Sequence, residues 1–426
     1  MSTSSQSATS HKDRLLAQVP TAEAMQRLQP SFAPLPPRIP GASLSSQDAI
    51  ARRWNLLSHA RSAQSELWKG EELSQYSRNV ENLIGTVSVP IGLAGPLRVN
   101  GCAASGDYYI PLATTEAALV ASYTRGSQVL SESGGCSTFI LSEGVSRAPG
   151  FVFSDLRETG EFVAWVLTQK EKFADQANCT TRHGQFNDMR LTVEGNHVYI
   201  TFEYYTADAA GQNMVTIATQ AVCDYIHEHS PVRPKHIFVE ANLSGDKKAS
   251  SQSFQTVRGR KVVAECLIPP EILAKRLHTD ARTMEEYWRM SALGGVLSGT
   301  IGVQGHYANG LAALFLATGQ DVACVSEAAV GITRFELRED GSLYTTVTLP
   351  NLIVGTIGGG TSLPTQAACL DILGLRGSGH ARALSEVAAA LALAGEISII
   401  GALSAGHFTR AHEKLARTKN SPNANS

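Results

Sequence analysis

Apolar residues along this chain follow two periods, and each period predicts its own kind of element. Over 48–69, Ile50, Trp54, Leu56 and Leu57 recur at helical spacing and predict one amphipathic helix. From residue 150 the character changes. Phe151-Val152-Phe153 predicts a strand and 156–170 a helix, while 189–193 and 198–202 predict two strands flanking the turn Glu194-Gly195-Asn196. A helix over 211–229 and a strand at 236–239 complete the series. The order strand–helix–strand–strand–helix–strand is that of a ferredoxin-like unit. The expected fold class is therefore α+β: a large mixed α/β domain (81–148 and 242–420) with a small ferredoxin-like domain, 149–241, inserted in it. Before these lie a helical segment at 48–80 and a Ser-, Gln- and Pro-rich stretch, 1–47, expected to be a flexible tail. The longest apolar stretch, 387–408, is Ala-rich and interrupted by Glu396, which predicts a buried helix and not a membrane span.

Composition narrows the class of partner. With 426 residues the chain can bury a large core, and a net charge of −2 with mixed signs argues against nucleic acid or an anionic membrane as partner. Seven cysteines at irregular spacing, without a Cys-x-x-Cys pair, predict reduced thiols in the cytoplasm and no zinc site. Cys136 and Cys223, in apolar surroundings, are expected in the core. Residues 1–11 lack a signal-peptide pattern.

Two short stretches carry the chemistry. Pro-Leu-Ala-Thr-Thr-Glu at 111–116 ends an uncharged segment on Glu116, and a carboxyl group in such a place becomes a proton donor if burial raises its pKa. Asp246-Lys247-Lys248 sets two ammonium groups beside an acid, suited to a carbonyl that becomes an oxyanion or to a substrate carboxylate. Asp321, His412 and the glycine run 355–361 add a second acid, an imidazole and a turn that backbone can bring close to a ligand. Together they predict a reductase of carbonyl-type substrates. A Rossmann fingerprint is absent, since Gly299-x-x-Gly302-x-x-Gly305 has the wrong spacing. Dinucleotide phosphates would instead meet the helix start after Asp208-Ala209-Ala210-Gly211, with Arg182 as a bidentate partner for an extra phosphate. Taken alone, an arginine in a polar loop is usually just solvated.

These residues resemble the catalytic portion of the 3-hydroxy-3-methylglutaryl-CoA reductase family, of the eukaryotic type. The likeness runs from about 50 to 420, through 81–86, 95–97, 111–135, 208–213, Asp246-Lys247-Lys248, 306–309, the Gly358-Gly359-Gly360-Thr361 turn and 402–412. It implies NADPH-dependent reduction of the thioester to mevalonate and coenzyme A by two hydride transfers. Lys247 would steady the oxyanion, Glu116 would donate a proton and be held neutral by burial, Asp321 would tune both, and His412 would protonate the departing thiolate. Arg147, Asp246, Lys248 and Asn309 would bind the acyl group, and Ser122, Arg125, His306 and Ser398 the CoA moiety. Arg182, Asp208, Gly211, Asn213 and Gly358–Gly360 would bind the cofactor. The resemblance also implies a homodimer with shared active sites, in which 81–97 takes part, with a tetramer as the alternative. It puts Thr418 where some relatives carry a phosphorylatable serine.

The chain departs from the family pattern at identifiable positions. Glu240 stands where a serine is usual, no lysine occurs in Trp288-Arg289-Met290-Ser291, and 302–306 is about one residue short. Ala210 and Gln212 replace methionines, Thr124 an asparagine, and Glu413 an apolar residue. A glutamate facing a substrate carboxylate repels it unless it is protonated, paired with Arg289 or turned away. Two alternatives follow: a paralogue acting on another acyl-CoA, or an idle regulator that keeps the fold. Retention of Glu116, Lys247, Asp321 and His412 speaks against the second.

Overall fold

The computed structural model describes residues 79–406 continuously, with 22–23, 34, 36–40, 44, 46–57, 61–68 and 74–76 before them. It divides into two compact units, Met1–Thr86 and Val87–Ser426. Most of the predicted tail, together with His412 and Thr418, lies outside the described residues.

In the first unit the single helix expected over 48–69 is two, α1 (Gln47–Leu56) and α2 (Arg61–Leu67). Ser46 caps α1 by accepting from the Ala49 N–H, and at Leu57 the backbone leaves helical geometry and its N–H turns to Trp54 O, which ends the helix. Ile50, Trp54 and Leu83 form a small apolar core there. Leu56, counted on the apolar face from sequence, is exposed.

The second unit is built on a ten-stranded sheet. Strands β1 (Ile91–Gly101) and β2 (Ser105–Ala113) form an antiparallel pair, helix α3 (Leu119–Glu132) follows, and β3 (Cys136–Arg147) returns parallel to β1. Next come β4 (Gly150–Val152), α4 (Leu156–Leu167), α5 (Lys170–Asn178), β5 (Gln185–Glu194), β6 (His197–Tyr205), α6 (Gln212–His229) and β7 (His236–Phe238). Asp155 starts α4 by accepting from Glu158 N–H, and the predicted 156–170 helix is two helices broken at Thr168-Gln169. The four strands of this segment stand in the order β7–β4–β6–β5, all neighbours antiparallel, which is the ferredoxin-like arrangement. They do not form a detached sheet. Val145–Arg147 at the end of β3 pair with Phe202–Tyr204 of β6, so one strand runs through both halves.

The remainder completes the sheet and covers it. β8 (Gly259–Ile268) pairs with β3 and with β10 (Leu343–Leu352), which pairs with β9 (Ile332–Leu337). Helices α7 (Ala281–Ser298), α8 (Tyr307–Thr318), α9 (Pro364–Leu373) and α10 (Ala381–Ser404) pack around it. α10 is long and apolar enough to cross a membrane by composition, yet most of it is buried within the protein, as Glu396 suggested. Cys136 and Cys223 are buried.

Candidate active site

The loop between β7 and β8 carries Asp246-Lys247-Lys248, and its shape is imposed from beneath. Lys247 holds a left-handed backbone, φ 55°, which a non-glycine residue adopts only when its surroundings enforce it. Its N–H donates to Glu327 Oε1 at 3.2 Å. Glu327 is fully buried and pairs with the equally buried Arg258, Nε to Oε2 2.6 Å. Burial pushes the Glu327 carboxyl up, against the pull of Arg258. Arg258 also donates to Ser146 O at 2.6 Å and Asp246 Oδ1 at 2.8 Å, while Asp246 Oδ2 meets Arg147 at 3.0 Å. Burial alone would raise the Asp246 pKa, but the two guanidiniums outweigh it and hold the carboxylate ionised. On this base Lys247 Nζ reaches Asp321 Oδ2 at 2.8 Å, and that hydrogen bond raises the lysine pKa, so the ammonium stays charged at neutral pH.

Asp321 stands just beyond the C-terminal end of α8, and the other acid stands at the start of that helix. Asn309, in the first turn of α8, donates to Glu116 Oε2 at 2.8 Å. The two half-sites are thus separated by nearly the whole helix, roughly 14 Å along its axis from Asn309 to Thr318. One chain joins Lys247 to Asp321 and leaves Glu116 apart. Glu116 is also exposed, so the burial expected to keep it protonated is not supplied within a single chain.

The start of α8 is fixed by Glu396. From the middle of α10 its carboxylate accepts from His306 N–H at 2.5 Å, Gly305 N–H at 2.9 Å and Thr333 Oγ1–H at 2.8 Å. Complete burial raises its pKa to about 7. Because the folded pKa lies above the ordinary value, ionisation opposes folding as pH climbs from about 4.5 to 7. We expect the melting temperature to fall over that interval and the Glu396→Gln variant to lose this part of the slope, as thermal scans between pH 5 and 8 would show. Beside it, His306 stacks on Tyr123 with ring centroids 4.9 Å apart. Burial lowers its pKa, more than Glu116 and Asn309 raise it, and its Nε2 is buried without a partner. Ser122 meets Ser398 at 2.9 Å, and Arg125 donates to Ser398 Oγ and O at 2.8 Å. Four residues expected to act together, Ser122, Arg125, His306 and Ser398, therefore gather where α3, α8 and α10 meet.

The glycine run is also a fixed turn. Gln320 accepts from Gly355 N–H at 2.8 Å and donates to Gly355 O at 2.9 Å, tying the turn to the residue before Asp321. A Cβ on Gly319 would lie 2.3 Å from Gly360 O, and one on Gly355 would lie 2.6 Å from Ala210 N. These contacts bring the turn against both Asp321 and the 208–211 loop. Gly358 and Gly359 face open space. Gly211, in left-handed conformation, begins α6 without a side-chain cap, which leaves N–H groups of its first turn available to an anion. The 181–184 loop with Arg182 packs on the same turn through Thr181 and Met214, 3.1 Å apart. Asn213 is exposed there. Asp208 differs from the rest: its carboxylate accepts from Gly379 N–H at 2.8 Å and Ala381 N–H at 3.2 Å, so it caps α10. Those bonds, with the one from Ser378, overcome burial and lower its pKa.

Of the three ways out weighed for Glu240, the structure shows pairing, but with another arginine than Arg289. Arg289 pairs with Glu285 and Glu286 of its own helix, because i,i+4 and i,i+3 spacing puts them alongside it, and Glu240 pairs instead with Arg147 at 3.3 Å. Lys248 turns its ammonium to Asp246 O at 2.9 Å. Sequence reasoning missed Arg258, Glu327 and Gln320. The signal for Glu327 was there, a lone acid between Val325 and Val330.

Known proteins resemble this chain over most of its length. The family described as hydroxymethylglutaryl-coenzyme A reductase matches residues 49–417. The 3-hydroxy-3-methylglutaryl-coenzyme A reductase of Pyrococcus abyssi is 42% identical over 348 residues, 80% of this chain and 85% of that protein. That of Haloferax volcanii is 42% identical over 344 residues, 79% of this chain and 85% of its own. The solved reductase of Streptococcus pneumoniae superposes with a TM-score of 0.64 at 20% identity, covering 84% of this chain and 97% of that one. Another structure of that enzyme, described as class II and bound to NADPH in open conformations, gives 0.62 at 20% identity, with 85% and 97% covered. The chain is an enzyme and belongs to the hydroxymethylglutaryl-coenzyme A reductase family.

Proposed function

We propose that this protein reduces 3-hydroxy-3-methylglutaryl-CoA to mevalonate and free CoA, using NADPH, as a homodimer in the cytoplasm. The Lys247–Asp321 pair carries the reading, since it fixes an ammonium group where an oxyanion would need one. NADPH, when bound, supplies the hydrides for two successive reductions. The open Gly358–Gly359 turn, Gly360, the uncapped start of α6 at Gly211 and Asn213, and Arg182 suit its phosphates and ribose. The small ferredoxin-like segment 149–241 is thereby the cofactor-binding part.

During each reduction Lys247 balances the charge growing on the thioester or aldehyde oxygen, and Glu116 delivers the proton that quenches it, taking the first one back when the hemithioacetal collapses to aldehyde and thiolate. Asp321 keeps Lys247 charged and in place. Arg125, Ser122, Ser398 and the neutral His306 hold the CoA portion, and His412 protonates the thiolate that leaves. Because Glu116 and Lys247 lie at opposite ends of α8, a partner copy supplies one of them. Purified protein given hydroxymethylglutaryl-CoA and NADPH should consume NADPH and yield mevalonate, identified by mass spectrometry; absence of mevalonate would overturn the reading. Gly319→Ala should push the 358–361 turn outward and raise the KM for NADPH by about tenfold in steady-state kinetics.

A further inference from the structure

Arg147 is the cation of this cluster that two acids share at one nitrogen. It is buried, it adjoins Lys247 through Asp246, and two carboxylates share its NH1: Asp246 at 3.0 Å and Glu240 at 3.3 Å. Its NH2 donates to Gln212 at 3.3 Å, while its Nε is buried with no partner among the described residues. The two acids are not equivalent. Asp246 is clamped a second time by Arg258, so it cannot leave without breaking a second ion pair to a buried guanidinium. Among the described residues Glu240 has no second cation. Its side chain is one-quarter exposed and is folded back by two backbone donors, Asn242 N–H at 2.8 Å and Ala148 N–H at 3.3 Å. Asn242 takes a left-handed backbone, φ 66°, in making this turn.

The other cations in the cluster are also matched. Lys247 holds Asp321, Arg258 holds Glu327 and Asp246, and Lys248 donates to a backbone carbonyl from an exposed position. A ligand carboxylate that came to Arg147 would therefore find its place taken by a side chain of the same chemistry. It would either displace Glu240 or sit beside it against like charge, and both weaken binding.

Resting on the function proposed above, we propose that Glu240 is a specificity-determining residue. It occupies the edge of Arg147 on which the terminal carboxylate of the acyl group docks, so the chain binds a dicarboxylic acyl group in competition with its own side chain. Acyl groups ending in a methyl or hydroxyl escape that competition. The pocket is thereby shifted toward neutral 3-hydroxyacyl thioesters relative to a pocket that leaves this arginine free.

The test compares Glu240→Gln and Glu240→Ser with the unaltered enzyme, using hydroxymethylglutaryl-CoA and 3-hydroxybutyryl-CoA with NADPH. The ratio of kcat/KM for the first over the second should rise about tenfold in both variants, mainly through KM for hydroxymethylglutaryl-CoA. Glu240→Asp, which keeps the charge, should leave the ratio near its starting value. An unchanged or lower ratio in Gln and Ser variants overturns the proposal. Should no form of the enzyme turn over either thioester, the proposed reaction fails while Glu240 is still tested. Calorimetric binding of free 3-hydroxy-3-methylglutarate must then be tighter in the two neutral variants, and equal affinity rejects the role.

Discussion

Mixing a Glu116→Gln copy with a Lys247→Ala copy is expected to restore about a quarter of the unaltered activity, although each variant alone is inactive. The expectation follows from α8. Asn309 holds Glu116 at one end of this helix, and Asp321 holds Lys247 past the other. If each active site draws its glutamate from one copy and its lysine from the other, a mixed dimer contains one doubly altered site and one intact site. Random pairing makes half the dimers mixed, which gives the quarter. Were both residues drawn from the same copy, no mixture would regain activity, and steady-state assays of co-refolded pairs distinguish the outcomes. Lys247→Ala alone should cost at least about a hundredfold in kcat, the scale of losing a fixed charge beside an oxyanion. Its melting temperature should barely move, because the Lys247–Asp321 pair is some 40% exposed and such pairs contribute little to stability.

Arg258→Met should do the opposite at first sight and destabilise the fold itself. It strands Glu327, a carboxylate with no exposure, and breaking a buried pair from one side costs about 3–5 kcal/mol. Denaturant titration should show that loss. Adding Glu327→Leu removes the stranded charge and should recover much of the stability. Activity should remain low in the double variant, because Lys247 loses the carboxylate that receives its N–H and Asp246 loses one of two guanidiniums. Recovery of activity along with stability would show that Arg258 and Glu327 only hold the core together.

How much of this could be read from sequence depended on whether a feature was local. The strand and helix order of 150–241 was legible because each element carries its own period, and the hairpin at Gly195 carries its own turn residues. The grouping of Ser122, Arg125, His306 and Ser398 was legible only through resemblance, since 276 residues separate Ser122 from Ser398. Helix ends were harder: nothing in 48–69 announced the stop at Leu57, or in 156–170 the break at Thr168. Asp208 was read only with the start of α6, and nothing in the sequence announced its bonds to the start of α10. The Glu240–Arg147 contact joins a loop to the end of β3, 93 residues away, and sequence offered the exposed Arg289 as the partner instead.

The shared strand β3 has a mechanical meaning. Residues 137–144 are laced to β8, while 145–147 are laced to β6. Ser146 and Arg147, at the crossover, are the same residues that support Arg258 and Asp246. No slack tether separates the two halves, so a rotation of one against the other has to wring this strand. Such a twist would be felt first by the guanidiniums under Lys247, so strain entering from the β6 side would reach the aim of the ammonium.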